Sequence, residues 1–270
     1  MNKQELRAAL HAGKRVYGTL IVSDSPRWPD AVAQLGLDFV FIDTEHIALD
    51  RKTVSWMCQV YSSLGLPAIV RIPAPDPYAA TMMLDAGAAG IVAPYIETVE
   101  EVRALHGAVK LRPIKGAKLK AALNNDAPFE PVLEAYRKAN SGDNILIINV
   151  ESRPAVDNLD ALLAVDGLDG VLIGPHDLSS NLGMPEDYKN PVFDATVHDI
   201  IARARKANVG AGIHFWADMR QEIDWGRAGM NMIIHSADIT AMKDKISGDI
   251  RKIRDILGDS IEMGGRAVNI

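Results

Sequence analysis

Two acidic residues occupy matching positions in the stretch 144–178. Glu151 follows the apolar run NILIINV, and Asp177 follows GVLIGP. Short, unbroken runs of branched apolar residues are the pattern of parallel strands buried on both faces. Between them, Pro154 suits the first turn of a helix, and AVDNLDALLAV carries its apolar residues at helical spacing. A strand–helix–strand unit brings both strands to the same edge of a sheet, so Glu151 and Asp177 are expected side by side. Two carboxylates meeting there repel each other unless positive charge joins them. A divalent cation held by oxygen ligands and water answers that need. The same residues also suit helix capping, or pairing with arginine or lysine.

Other strand-like runs end in polar residues of complementary type. FVFIDTEH closes on Asp43, Glu45 and His46, and PAIVRIP contains Arg71. His176 precedes Asp177, and His214, His235 and Asp238 stand at the ends of the last two runs. Histidine changes charge near neutral pH, so His46 suits a general base, with Asp43 three residues earlier placed to orient its imidazole. Arginine keeps its proton, so Arg71 suits holding a carboxylate or polarising a carbonyl oxygen. Each also has an ordinary role available, as a hydrogen-bonded histidine or a paired arginine. It is their convergence that points to chemistry.

That convergence needs a scaffold. Apolar runs at 16–22, 39–46, 67–73, 90–95, 144–150, 170–175, 210–216 and 230–238 alternate with helical patterns, among them 51–63, 99–106, 193–207 and 242–257. Eight such units in about 250 residues predict an α/β fold, a single (β/α)8 TIM barrel spanning 1–270, with its active site at the carboxyl ends of the strands. A doubly wound open sheet is the alternative, but no G-x-G-x-x-G follows the first strand. Two stretches, 110–126 and 179–191, read as long irregular loops of the kind that bind ligands.

The 270 residues carry a net charge of −6, are 48% hydrophobic and include one cysteine, Cys58. A disulfide framework and a multi-thiolate metal site are excluded, and neither a nucleic-acid nor a membrane surface is expected. The amphipathic N-terminal segment has no apolar core of a secretory signal, which points to a cytoplasmic protein.

The segments FIDTEH, IVRIP, MLDAGAAGIVAPYIETVEE, NVESRPAVDNLD and VDGLDGVLIGPHDLSSNLG resemble the HpcH/HpaI aldolase family, the metal-dependent pyruvate aldolases. Their order and spacing agree from about Tyr17 to Asp238. The resemblance implies a phosphoenolpyruvate/pyruvate-type barrel with a swapped helix, assembled as a homo-oligomer, a hexamer or trimer. It implies reversible aldol cleavage of a 4-hydroxy-2-oxo acid to a 2-oxo acid such as pyruvate and an aldehyde. By the same resemblance, Glu151 and Asp177 are ligands of a divalent cation (Mg²⁺, Mn²⁺ or Co²⁺) that stabilises the enolate. Arg71 serves the enolate oxygen, and His46 with Asp43 moves the proton. Asp85 is an acid near the subunit boundary, and backbone around Gly174, Pro175 and His176 receives the substrate carboxylate. The chain departs from the family pattern in Asn149 for glutamine, Lys118 and Leu119 for an Arg-Gly pair, Leu20 for an aromatic residue and His176 for a small one. Decarboxylation of an oxaloacetate-like acid, CoA-ester cleavage, or metal binding without catalysis are the alternatives on this barrel.

Overall fold

The computed structural model describes residues 1–126 and 128–259. Within them, eight parallel strands close into one barrel in chain order. The chain opens with α1 (Lys3–Ala12), started by a capping box in which the Asn2 and Glu5 side chains each accept from the other's backbone amide. There follow β1 (Val16–Leu20) and α2 (Trp28–Val32), β2 (Val40–Asp43) and α3 (Arg51–Ser63), β3 (Ala68–Arg71) and α4 (Pro77–Asp85), then β4 (Gly90–Ala93) and α5 (Val99–Lys110). Two further helices, α6 (Gly116–Leu123) and α7 (Pro131–Ser141), precede β5 (Ile145–Val150). Short helices α8 (Arg153–Asp157) and α9 (Leu159–Leu163) lead to β6 (Gly170–Ile173), and α10 (Pro175–Asn181) and α11 (Pro191–Lys206) lead to β7 (Gly210–Phe215). The described chain finishes with α12 (Met219–Arg227), β8 (Met232–Ala237) and α13 (Asp238–Leu257).

The barrel agrees with the expected α/β architecture and removes the open-sheet alternative. The expected single unit over 1–270 reaches past the described residues at 260–270. Local differences have physical reasons. The stretch 110–126, expected to be irregular, holds the end of α5 and all of α6, and PVLEAYRKANS forms α7. Neither α6 nor α7 buries a broad apolar face: α6 buries none of its residues and α7 only Ser141. The helix expected after Glu151 breaks at Asn158 into α8 and α9.

Strands alternate their side chains between two apolar environments. The interior is filled by Phe39, Phe41, Ile69, Ile145, Ile147, Leu172, Met232 and Ile234, and is closed at the amino-terminal mouth by Leu6 and Leu10 of α1. The opposite faces pack under the helices in a second apolar layer. At that amino-terminal mouth Asp169, fully buried, accepts from the Leu146 amide at 2.8 Å, Arg7 Nε at 2.7 Å, Lys110 Nζ at 2.5 Å and His11 Nε2 at 2.8 Å. Lys110 also donates to the Asn144 carbonyl. This ionic knot ties α1 and α5 to the base of β5 and β6.

One helix departs from the closed pattern. α13 buries only Thr240 and exposes Ile239, Met242, Ile246, Ile250 and Ile253, which recur every three or four residues as a single stripe.

Candidate active site

At the carboxyl ends of β2 and β3, Asp43 and Arg71 are direct register partners. In parallel strands such partners project to the same face, so their side chains meet. Arg71 Nε and Nη2 donate to Asp43 Oδ1 and Oδ2 at 2.9 and 2.6 Å. Arg71 Nε also lies 3.1 Å from Glu45 Oε2. Burial opposes ionisation of Asp43, but the Arg71 hydrogen bonds and charge outweigh it and hold the carboxyl below its ordinary range. Burial likewise disfavours charge on Arg71, and Asp43, Glu45 and Glu151 together push its pKa up.

This geometry corrects one expectation. Asp43 does not hold the His46 ring: its oxygens are occupied by Arg71 and by the Glu45 amide at 2.9 Å. The acid nearest His46 Nε2 is Glu45, at 3.7 Å. Residue spacing suggested the local pair, whereas strand register selects the cross-strand one.

The ends of β5 and β6 are also neighbours, with Val150 opposite Ile173. Glu151, buried, accepts from the Tyr95 amide and from Asn149 Nδ2, both at 2.8 Å. Both donors are neutral. Burial pushes the Glu151 carboxyl up, the two hydrogen bonds pull it down, and the nearby charges of Asp177 and Glu45 push it up again, with a net upward shift. Gly174 leaves room for it: a Cβ there would stand 2.6 Å from Glu151 Oε2, so the hydrogen-bonded carboxylate would have to shift. Asp177 follows in the first turn of α10.

Among the described residues no group of three or more His, Cys, Asp and Glu side chains is arranged to hold a metal ion. A cation here would rest on Glu151 and Asp177 and complete its shell with substrate and water. The residues fit such a group. Carboxylate oxygens are the ligands of hard divalent ions, Glu151 is raised by burial and further by the neighbouring charges of Asp177 and Glu45, and Asn149 Oδ1 is buried without a hydrogen-bond donor.

Tyr95 carries no sequence signal that would mark it. It takes φ of 56°, a left-handed conformation uncommon outside glycine, and thereby offers its amide to Glu151. Its phenol is pushed up to about 12, chiefly by the neighbouring Glu45 carboxylate, with burial adding to the shift.

At this end of the barrel lies a cavity of about 720 Å³ lined by His46, Arg71, Asn149, Asp177, His214 and Trp216, together with Gly174, Pro175 and His176. The first-turn amides of His176 and Asp177 have no acceptor within α10. Other expected participants lie elsewhere. Asp85 ends α4, five residues before β4 begins, and pairs with Arg112 rather than reaching the cavity of its own chain. His235 projects outward from β8, because the pleat places it opposite in face to Ile234, and its Nδ1 lies 2.8 Å from Glu222 Oε2 on α12. Asp238 accepts from the Val22 and Ser23 amides at 3.1 and 3.0 Å. Cys58 is buried in the outer layer, and burial pushes its thiol up to about 12.

A closed parallel barrel with carboxylates, a paired arginine and a histidine at the carboxyl ends of its strands is the arrangement of a TIM-barrel enzyme. Comparison with known proteins makes the class specific. The family model described as HpcH/HpaI aldolase/citrate lyase matches residues 17–243. A hydroxypyruvate/pyruvate aldolase of Roseovarius nubinhibens is 34% identical over 224 residues, covering 82% of this chain and 86% of that one. A 2-keto-3-deoxy-L-rhamnonate aldolase of Klebsiella pneumoniae is 32% identical over 206 residues, covering 76% and 77%. Among solved structures, an HpcH/HpaI aldolase from Desulfitobacterium hafniense superposes with a TM-score of 0.80 at 25% identity, covering 92% of this chain and 96% of that chain. The chain belongs to the HpcH/HpaI aldolase/citrate lyase family, and its enzyme class is that of the carbon–carbon lyases. No helix among the described residues is long and apolar enough to cross a membrane.

Proposed function

We propose that this chain is a divalent-metal-dependent aldolase that reversibly cleaves a 4-hydroxy-2-oxo acid to pyruvate, or a related 2-oxo acid, and an aldehyde. The observation that most supports this is the Glu151–Asp177 carboxylate pair, hydrogen-bonded on Glu151 only by neutral groups, beside a cavity shared with Arg71 and His46. The names of the aldolase relatives favour the same chemistry. Glu151 and Asp177 would hold the cation, which when bound supplies the Lewis acid that polarises the 2-oxo carbonyl.

The remaining roles belong to the chain. The first-turn amides of α10 receive the substrate carboxylate. Arg71 spends Nε and Nη2 on Asp43 and keeps Nη1 without a protein partner among the described residues. That N–H faces the negative charge developing on the C2 oxygen, where a fixed donor favours the transition state over the ground state. His46, half exposed at the mouth, takes the C4 hydroxyl proton as the C3–C4 bond breaks and returns a proton to C3.

The test is pyruvate release from a panel of 4-hydroxy-2-oxo acids, followed with lactate dehydrogenase, before and after EDTA treatment. Release that EDTA abolishes and Mg²⁺, Mn²⁺ or Co²⁺ restores is expected; release indifferent to EDTA contradicts the proposal. Schiff-base chemistry makes a separate forecast. No lysine lies in any of the eight strands, and the buried Lys110 is bound to Asp169 at the far end of the barrel. Borohydride added with pyruvate should therefore leave the protein mass unchanged, and a covalent adduct would contradict the metal mechanism.

The exposed stripe on α13 supports assembly with further copies of this chain, as the family's swapped helix does. Its isoleucines leave an apolar face that water solvates poorly. Ile246→Asp combined with Ile250→Asp should lower the molar mass measured by light scattering toward that of one chain. An unchanged mass would place the interface elsewhere.

A further inference from the structure

His214 lines the cavity from β7, yet the roles above assign it nothing. Its Nε2 lies 2.9 Å from the Ser236 carbonyl oxygen. A carbonyl only accepts, so Nε2 carries the ring proton and donates. Ser236 itself sits at φ 56°, a left-handed turn at the end of β8. The ring is held on two sides, edge-on to Phe41 with centroids 5.8 Å apart and tilted against Trp216 at 5.0 Å. Burial lowers the His214 pKa to about 4, so the imidazole is neutral at physiological pH.

A neutral imidazole that donates through Nε2 has Nδ1 as a bare acceptor. With Nε2 committed to β8, Nδ1 is the edge turned away from that strand, and no group among the described residues hydrogen-bonds to it. Arg71, whose guanidinium lies over the other ring partner Phe41 at 5.8 Å, is the donor of the same wall. Pyruvate brings only acceptors, a carboxylate and a carbonyl, which suit Arg71 and the amides of α10. An acceptor fixed in the wall has no use for that half of the reaction. It suits a ligand that brings a hydrogen-bond donor on its other half.

Resting on the aldolase proposal, we infer that His214 Nδ1 accepts a hydrogen bond from a hydroxyl on the aldehyde half of the substrate, so that the enzyme takes α-hydroxyaldehydes in preference to plain alkanals. His214 is then a specificity residue for the acceptor. Sites built to pair a substrate hydroxyl reject analogues that lack it, because the buried partner is left unpaired.

The experiment compares glycolaldehyde with acetaldehyde as acceptors for pyruvate, using the full chain supplied with Mg²⁺ or Mn²⁺. The quantity read is the ratio of their kcat/KM values in wild type, His214→Phe and His214→Gln. Comparing ratios between proteins cancels the intrinsic reactivities of the two aldehydes. Phenylalanine keeps the packing against Phe41 and Trp216 and removes both nitrogens, so the ratio should fall about tenfold, the loss of one hydrogen bond. Glutamine retains an amide donor for Ser236 and a carbonyl acceptor, and should keep most of the preference. Should His214→Phe fail to fold, His214→Met fills a similar volume and is read in its place. A ratio unchanged within twofold in the variants would overturn the inference. Exchange of pyruvate's methyl protons by the wild type separates the two levels. Exchange with an unchanged ratio removes only the role of His214, whereas no exchange removes the aldolase proposal and this inference with it.

Discussion

Replacing Asp169 with asparagine should lower the unfolding free energy by about 3–5 kcal/mol, the cost of leaving a buried charge without its partner. Asp169 is fully buried and is the counter-ion of Lys110, itself buried, while also accepting from Arg7, His11 and the Leu146 amide. Urea unfolding at neutral pH measures the loss. Adding Lys110→Met should recover part of it, because the stranded ammonium is then gone. A loss below about 1 kcal/mol would mean that the knot holds no more than a surface ion pair does.

The pH dependence has a definite sign. Burial opposes ionisation of Asp169, but the His11 hydrogen bond and the Lys110 and Arg7 charges outweigh it and hold its pKa below the ordinary value. A carboxyl lowered in the folded state contributes stability that is complete above the unfolded-chain pKa of about 3.9 and is lost as pH falls through the folded pKa. The stability gap between wild type and Asp169→Asn should therefore be constant across neutral pH and narrow below about pH 4. A gap that widened with acid would contradict this.

Arg71→Lys should reduce kcat for pyruvate formation by about 10²–10³, the range found when one preorganised donor to a developing oxyanion is removed. Lysine keeps the positive charge but cannot hold Asp43 through two donors and still present a third to the substrate. Arginine does both, with Nε and Nη2 on Asp43 at 2.9 and 2.6 Å. KM for the 2-oxo acid should change far less than kcat, because the interaction strengthens as charge develops. Wild-type kcat in a folded Arg71→Lys variant would remove Arg71 from the oxyanion role.

Much of this was legible from residue order. Runs such as ILII and VLI show strands buried on both faces, and their number and spacing predict the closed barrel. The same periodicity places Glu151 and Asp177 at adjacent strand ends, where register sets Val150 against Ile173. What escaped was information held in three dimensions. Asp43 and His46 are close in sequence, but Asp43 and Arg71 are register partners, and register cannot be read from one strand. Position at a strand end groups His235 with the rim, yet the pleat turns it outward toward Glu222. The backbone turn at Tyr95 depends on the buried carboxylate it serves. Helices α6 and α7 lack the buried apolar stripe that reveals a helix in sequence.

The measurement that bears most directly on the central claim is exchange of pyruvate's methyl protons in heavy water, followed by proton NMR. It asks only whether the site forms an enolate and needs no knowledge of the aldehyde. The account predicts exchange in the metal-supplied protein, its loss with EDTA and its return with Mg²⁺, Mn²⁺ or Co²⁺. It also predicts that Glu151→Gln, which keeps the shape of the side chain but loses the charge, exchanges far more slowly at the same metal concentration. Exchange that survives EDTA, or that Glu151→Gln leaves untouched, would contradict a metal-assisted enolate at Glu151 and Asp177.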